Sequence, residues 1–197
     1  MNKYIAELFG TFGLTLAVLL SINNSSFTLA TPLIAALTLG LFVYTIGHIS
    51  GAHINPAVTL GVLSIKKISH VDALCYIVMQ FIGAGLAFGL STFFIDNPKL
   101  LTVANTPLVA MFEFIGMFFF AFGIAAAVYN RIPSLMSGFV VGGSLLLGLS
   151  FANFGSNAVL NPAVAFGIGS VSLMYVIAPI LGSIAAMQAY KFLSTEK

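Results

Sequence analysis

Apolar residues form long runs along this chain, and polar residues are largely confined to the short connections between them. Six runs are long enough to cross a bilayer as α-helices, which takes about 20 residues for a hydrocarbon core of roughly 30 Å. They cover residues 4–22, 32–50, 71–91, 107–129, 135–153 and 174–193. The pattern predicts an all-α membrane protein with six transmembrane helices.

Within the spans, two glycine pairs have the four-residue spacing typical of close helix packing: Gly85 with Gly89, and Gly138 with Gly142.

Two further apolar stretches, residues 56–65 and 162–171, are too short to span a membrane. As helices they would each extend about 15 Å, which reaches only halfway across. Backbone groups broken at mid-depth must be satisfied by neighbouring protein or by a water-filled cavity. We therefore expect both half-helices to line something polar.

The two halves of the chain repeat at a constant offset of 106 residues. The matching pairs are Glu7 and Glu113, Gly10 and Gly116, Ser50 and Ser156, Ala52 and Ala158, Asn55 and Asn161, and Gly61 and Gly167. Because three spans, an odd number, separate equivalent points, the second half lies upside down relative to the first. We predict a single domain over residues 1–197, with inverted repeats of about 1–95 and 106–197.

The composition also points to lipid as the surroundings, because 59% of the residues are hydrophobic and only 6% are charged. A soluble domain normally carries about 25% charged residues. The net charge is +2 and no basic cluster is present, which argues against nucleic acid as a partner. Cys75 has no second cysteine with which to share a metal, and we expect neither a metal nor a cofactor. No cluster of nucleophile, base and acid is visible, so an enzyme is disfavoured.

Positive charges are distributed unevenly over the connections between the spans. One side of a six-span arrangement carries Lys3, Lys66, Lys67, Arg131, Lys191 and Lys197, and the other side carries Lys99 alone. Because cytoplasmic loops hold the excess of Lys and Arg, both termini are predicted to be cytoplasmic.

An Asn-Pro-Ala tripeptide opens each short helix. The residues are Asn55, Pro56 and Ala57 in the first half, and Asn161, Pro162 and Ala163 in the second. Pro suits the first helical position, and the Asn before it can cap the helix N-terminus. Inversion brings both N-termini to the membrane midplane, each with roughly half a positive charge, so cations are repelled. The Asn amides can donate hydrogen bonds to a neutral solute, and two equivalent copies indicate a pore where one would indicate an ordinary capped turn.

Residues 47–59, with the sequence GHISGAHINPAVT, resemble the first pore loop of the aquaporin, or major intrinsic protein, family. Further positions similar to the family are Ala6, Glu7, Gly10, Thr11, Phe12, Gln80, Gly83, Ala84, Pro179 and Gly182. The resemblance implies six transmembrane helices with two half-helices in an inverted repeat, one pore per subunit and a homotetramer. It also implies a multi-pass protein of the plasma membrane whose partners are membrane lipid and small neutral solutes.

The resemblance further implies roles for residues in and near the two pore loops. Backbone carbonyls would line the pore at Gly51, Ala52, His53, Asn157, Ala158 and Val159. Glu7 and Glu113 would accept hydrogen bonds from pore-loop backbone and act as scaffold, with proton carriers as the alternative. His48 and His53 are interpreted as packed, hydrogen-bonded loop residues, with metal ligands as the alternative.

The chain departs from the family at the outer constriction. The family usually places Arg just after the second tripeptide, where this chain has Val164. The other constriction positions, transferred by their distance from the tripeptides, are Ala35, Leu149 and Ala158. All four are apolar, so we expect a wide constriction without strict water selectivity. Bacterial relatives with Val at this position resemble channels for arsenous acid, which implies a bacterial member in a prokaryotic inner membrane.

These features predict a passive transmembrane channel for small uncharged solutes, namely water, glycerol-like molecules or metalloid hydroxides such as arsenous acid. One alternative is a weak-acid or ion-leaky channel, because Val164 replaces the fixed cation of the family. The other alternative is a non-conducting structural membrane protein.

Overall fold

The computed structural model describes residues 1–24, 29–98, 101 and 103–195. These residues form, in order, α1 (Asn2–Asn23), α2 (Thr31–Ser50), α3 (Pro56–Ser64), α4 (His70–Ser91), α5 (Pro107–Val128), α6 (Ser137–Ala152), α7 (Pro162–Gly167) and α8 (Leu173–Thr195). A short 3-10 turn, Ser134–Met136, precedes α6. Six helical segments are long and apolar enough to cross a membrane, the fifth being α6 together with its 3-10 turn (Ser134–Ala152), and the described residues contain no strand. The predicted fold class is confirmed.

Each half-helix stops at a residue in the left-handed conformation, which closes a helix C-terminus. In α3 this residue is Lys66, with φ of 62°, and in α7 it is Gly169, with φ of 71°. The end of α3 agrees with the predicted stretch 56–65. Helix α7 stops at Gly167, earlier than the predicted end at residue 171, because Gly169 takes the left-handed conformation at little steric cost.

Glycines allow the backbones of the spanning helices to approach closely. A methyl group at Gly83 of α4 would collide with the carbonyl oxygen of Leu8 in α1. Gly138 and Gly142 of α6 lie against α2, and a methyl group at Gly142 would lie 2.7 Å from the carbonyl oxygen of Ala36. The packing prediction for Gly138 and Gly142 is therefore confirmed.

The packing prediction for Gly85 and Gly89 is wrong. A methyl group at Gly85 would lie 3.6 Å from the Phe166 ring, an ordinary contact, and one at Gly89 would meet no described atom within 4 Å. The glycine of α4 that permits close approach is Gly83. Sequence spacing identifies glycines on one helix face, but it does not say which face is turned toward a neighbour.

Large apolar side chains point outward along the spanning helices. Phe9 is 60% exposed, Leu74 is 65% exposed and Phe139 is 70% exposed. Such a surface would promote aggregation in water, whereas in a bilayer it contacts lipid or other membrane-embedded protein. The chain is therefore a multi-pass membrane protein.

An even number of spans places both ends of the chain on the same side of the membrane. At that end the Nζ of Lys3 lies 2.9 Å from the Oδ1 of Asp72 in an ion pair. Lys67 and Asp72 line one cavity at the same end of the bundle. Lys99 and Lys197, on which the predicted orientation also depends, lie outside the described residues.

Candidate functional site

Asn55 and Asn161 cap the two half-helices. The Oδ1 of Asn55 accepts two backbone hydrogen bonds of 2.8 and 3.4 Å, and the Oδ1 of Asn161 accepts two of 3.1 and 3.3 Å. The donating N–H groups belong to Ala57, Val58, Ala163 and Val164. Pro56 and Pro162 occupy the first helical positions, where the missing N–H group leaves no hydrogen bond unmade.

The same two side chains join the pore loops to each other. The Nδ2 of Asn55 donates a hydrogen bond of 2.9 Å to the carbonyl of Leu160, and the Nδ2 of Asn161 donates one of 2.9 Å to the carbonyl of Ile54. Each Asn therefore bonds to the residue that precedes the other Asn. The N-termini of α3 and α7 consequently meet in the interior of the bundle, with both amides on the same cavity.

Glu7 is fully buried in α1 and holds the first pore loop. Its carboxylate accepts hydrogen bonds from the Ser50 hydroxyl at 2.7 Å and from the N–H groups of His53 and Ile54. A further hydrogen bond of 2.8 Å comes from the Nε2 of Gln80 in α4. A buried carboxylate with several donors is satisfied without a solvent contact.

Glu113 is fully buried in α5 and holds the second pore loop in the same way. It accepts hydrogen bonds from the Ser156 hydroxyl at 2.7 Å and from the N–H groups of Val159 and Leu160, at 3.0 and 2.9 Å. The position equivalent to Gln80 is Ala186, which has no polar side chain. The two carboxylates thus make equivalent hydrogen bonds with their loops. Among the contacts described, Glu7 alone accepts a further hydrogen bond from the side chain of a spanning helix.

The first pore loop turns its carbonyl groups away from Glu7. The described residues contain no cis peptide bond, so each carbonyl points opposite to the N–H of the next residue. The N–H groups of His53 and Ile54 point at Glu7, and the carbonyls of Ala52 and His53 therefore point away from it. These oxygens can accept hydrogen bonds from a solute.

The second pore loop repeats this geometry. Ala158 and Leu160 have left-handed φ angles of 52° and 55°, and the equivalent Ala52 and Ile54 have 49° and 39°. The N–H groups of Val159 and Leu160 point at the second carboxylate, so the carbonyls of Ala158 and Val159 point away from it. Paired backbone strain of this kind at both loops is typical of functional sites.

A cavity of about 360 Å³ opens between the two halves of the bundle. The four positions transferred from the family constriction all line it: Ala35, Leu149, Ala158 and Val164. The loop residues His53, Asn55, Asn157, Val159 and Asn161 line it as well. Among the described residues of its wall, none is Asp, Glu, Lys or Arg. We call this space the outer cavity.

A second cavity, of about 440 Å³, lies at the end of the bundle that carries Lys67 and Asp72. We call it the inner cavity, and Gly51 lines it. His53 lines both cavities, which places it between them. Its Nδ1 lies 3.2 Å from the Oγ1 of Thr59, as expected for a packed, hydrogen-bonded side chain.

His48 does not match its interpretation as a packed loop residue. It lies in the last turn of α2 and is exposed. The helix continues to Ser50, so His48 belongs to the end of a spanning helix and not to the loop. A sequence motif that crosses a helix end does not show which of its residues remain on the helix.

Several contacts of the loops were not evident from the sequence. The Tyr76 hydroxyl donates a 2.8 Å hydrogen bond to the carbonyl of Ser50, and the Gln80 Nε2 lies 3.0 Å from the Thr59 hydroxyl. Tyr175 accepts a hydrogen bond from the second loop. Each contact joins residues that are distant along the chain, and no local pattern marks the partners.

Comparison with known proteins agrees with this geometry. The family model described as "Major intrinsic protein" matches residues 1–190. The chain belongs to the major intrinsic protein family. It is therefore a passive transmembrane channel for water and small uncharged solutes, and not an enzyme.

Individual relatives within the major intrinsic protein family match most of the chain. Nodulin-26 of Glycine max is 35% identical over 208 residues, which cover 96% of this chain and 77% of the relative. The probable aquaporin AqpM of Archaeoglobus fulgidus is 36% identical over 189 residues, covering 82% and 74%. These relatives come from a plant and an archaeon, and the expectation of a bacterial member is not borne out.

A solved member of the same fold is the aquaglyceroporin from Plasmodium falciparum. The TM-score is 0.77 at 24% sequence identity, and the alignment covers 98% of this chain and 96% of that chain. This likeness establishes the fold along nearly the whole chain.

Proposed function

We propose that this channel admits uncharged hydroxylated solutes larger than water, such as glycerol-like molecules and metalloid hydroxides of the arsenous acid type. The observation that carries the proposal is Val164, which lines the outer cavity where the family usually has Arg. Ala35, Leu149 and Ala158 line the same cavity and add no charge. A small apolar side chain leaves room that a guanidinium group would fill.

The chemistry of the walls favours neutral solutes with hydroxyl groups. The carbonyls of the two loops supply acceptors. Each amide of Asn55 and Asn161 uses one N–H for the opposite loop, which leaves its second N–H as a donor at the meeting point of the half-helices. A hydroxyl group can use both, because it donates one hydrogen bond and accepts others. The four constriction positions are apolar and penalise an ion that would lose its water shell there.

The proposal also includes the domain organisation of the chain, the orientation of its termini, its oligomeric state and its membrane. A single channel domain over residues 1–197, with repeats of about 1–95 and 106–197, is supported by the paired left-handed residues of the two loops. The uneven distribution of Lys and Arg supports cytoplasmic termini. A homotetramer in the plasma membrane follows from membership of the family, with lipid around its outer surface.

The test compares solute and water permeation in the same vesicles. Wild type and Val164→Arg are reconstituted at matched protein density, and swelling is followed by stopped-flow light scattering with water, glycerol and arsenous acid. Arg would add bulk and charge to the cavity that Ala35 also lines, so each ratio of solute permeability to water permeability should fall. Val171→Arg is the matched control, because Val171 is 53% exposed and does not line the outer cavity.

Two results would contradict the proposal. Glycerol and arsenous acid permeation equal to that of empty vesicles would show that wild type does not conduct these solutes. An unchanged or increased ratio in Val164→Arg would show that the constriction lies elsewhere. The assignment of Ala35, Leu149, Ala158 and Val164 to the constriction would then be wrong.

A further inference from the structure

In the second pore loop, Asn157 is held by hydrogen bonds to two residues beyond the loop, Ser170 and Tyr175. The Nδ2 of Asn157 donates a 2.9 Å hydrogen bond to the Oγ of Ser170, and the N–H of Asn157 donates a 2.8 Å hydrogen bond to the Tyr175 hydroxyl. Ser170 is 0% exposed and Tyr175 is 1% exposed. We call this set Asn157, Ser170 and Tyr175 the loop clamp.

The first half of the chain holds the equivalent loop differently. At the repeat offset, Gly51 corresponds to Asn157 and Ser64 corresponds to Ser170. Gly51 has no side chain, and its N–H closes the end of α2. The Ser64 hydroxyl donates to the carbonyl of Gly61 within α3 and lies 3.3 Å from the Nε2 of Gln188.

The difference follows from the lengths of the preceding helices. Helix α2 runs to Ser50, so the first loop leaves a helix that is itself packed in the bundle. Helix α6 stops at Ala152, before the position equivalent to Ser50, and the second loop continues as turns. A longer loop has more conformational freedom and needs further contacts to hold one position. The loop clamp supplies such contacts.

The loop clamp also connects two walls of the proposed constriction. Asn157 directly precedes Ala158, whereas Ser170 follows α7, which carries Val164. Ala158 and Val164 both line the outer cavity. A hydrogen bond between Asn157 and Ser170 therefore restricts how far the loop can move from α7.

We propose that the loop clamp sets the width of the outer constriction, and that Asn157 is a positioning residue for solute selectivity. The inference rests on the proposed function, because it takes Ala158 and Val164 as walls of the constriction. Asn157 also lines the outer cavity, but the effect proposed for its side chain acts through the position of the loop backbone. Selectivity in this channel then depends on the hydrogen bond between Asn157 and Ser170 as well as on the side chains that line the pore.

The first test is Ser170→Ala in reconstituted vesicles. Without its acceptor the loop moves away from α7, and the ratio of glycerol to water permeability should rise about threefold, a change of roughly 0.65 kcal/mol in barrier height. Ser64→Ala removes the equivalent hydroxyl of the first half and should leave the ratio at the wild-type value. Ser170→Thr keeps a hydroxyl and should restore the wild-type ratio.

Tyr175→Phe is the second variant, which keeps the inference testable if Ser170→Ala does not fold. It removes the acceptor for the N–H of Asn157 and should raise the same ratio. Wild-type ratios in both folded variants, or an equal rise in Ser64→Ala, would overturn the inference. If wild type conducts water but no glycerol, the proposed function fails, and the loop clamp is then judged by water permeability, which should change in Ser170→Ala but not in Ser64→Ala.

Discussion

Glu7 and Glu113 show how single residues hold the two pore loops at mid-bundle. Each carboxylate accepts hydrogen bonds from one serine hydroxyl and two consecutive N–H groups of a loop. These N–H groups lie in a part of the fold without a helix partner, and an unpaired buried donor would be costly. The position of the carbonyls depends on the same contacts, because each carbonyl points opposite to the N–H group of its own peptide.

We predict that Glu7→Gln lowers expression yield and the thermal unfolding midpoint in detergent, before it changes solute selectivity. The amide nitrogen would replace an accepting oxygen and face donors, which costs on the order of 1–3 kcal/mol for each group left unpaired. Unfolding followed by fluorescence-detected size exclusion checks this result. Thr45→Val is the control, since that exposed hydroxyl bonds only to the carbonyl of Leu41 in its own helix among the contacts described.

The result for Glu7→Gln also distinguishes between the two roles considered for Glu7, a scaffold for the loop and a proton carrier. A Glu7→Gln protein of normal yield and stability, with altered proton flux in vesicles that carry a pH-sensitive dye, would contradict the scaffold role and favour a carrier.

At the scale of elements, the fold combines long helices that pack through glycines with two short helices that end early. The close approach of α1 and α4 depends on Gly83, and that of α2 and α6 depends on Gly142. Tyr44 of α2 adds a contact between elements, since its hydroxyl donates to the carbonyl of Leu135 and accepts from the N–H of Phe139. These contacts hold the spanning helices around the half-helices.

We predict that Gly83→Ala destabilises the protein and that Gly89→Ala does not. The added methyl group at Gly83 would collide with backbone of α1, which cannot move without shifting the helix, and overpacking typically costs about 1–3 kcal/mol. At Gly89 the methyl group meets no described atom within 4 Å. Thermal midpoints measured side by side check the difference, and equal midpoints would show that α1 and α4 are not held by close contact at Gly83.

At the scale of the whole molecule, the pore lies between two inverted halves of one chain. The N-termini of α3 and α7 meet where Asn55 and Asn161 bond to opposite loops, and each helix end presents positive partial charge. The described wall of the outer cavity has no carboxylate that would compensate this charge for a cation. We therefore expect the barrier to cations to arise only when the two halves are assembled.

We predict that vesicles and planar bilayers containing the protein carry no ionic current above background, while neutral solutes permeate. The two half-helix ends repel cations, and the apolar side chains at the four constriction positions do not replace the water shell of an ion. Current recorded under an applied voltage, together with swelling assays on the same preparation, checks this expectation. A current that scales with voltage and protein density would favour the ion-leaky alternative, and its loss in Val164→Arg would assign the leak to the missing cation.

Local patterns, together with the repeat at an offset of 106 residues, were sufficient to predict the six spans, the two half-helices, the inverted repeat and the meeting of Asn55 with Asn161. Hydrophobic length, proline at a helix start and an odd number of spans between repeats each act through short-range geometry or through simple topology. The end of α7 was mispredicted, although Gly169 marked it, because an apolar run continues beyond the last helical turn.

Only the tertiary structure decided which faces of the helices meet and which side chains other than Glu7 and Glu113 hold the loops. Membrane helices are apolar toward lipid and toward one another, so hydrophobicity does not distinguish the two faces, and the packing role fell to Gly83 instead of Gly85 and Gly89. The hydrogen bonds from Asn157 to Ser170 and Tyr175 join residues separated by 13 and 18 positions. Such contacts depend on how the elements are placed in space, and no periodicity in the sequence encodes them.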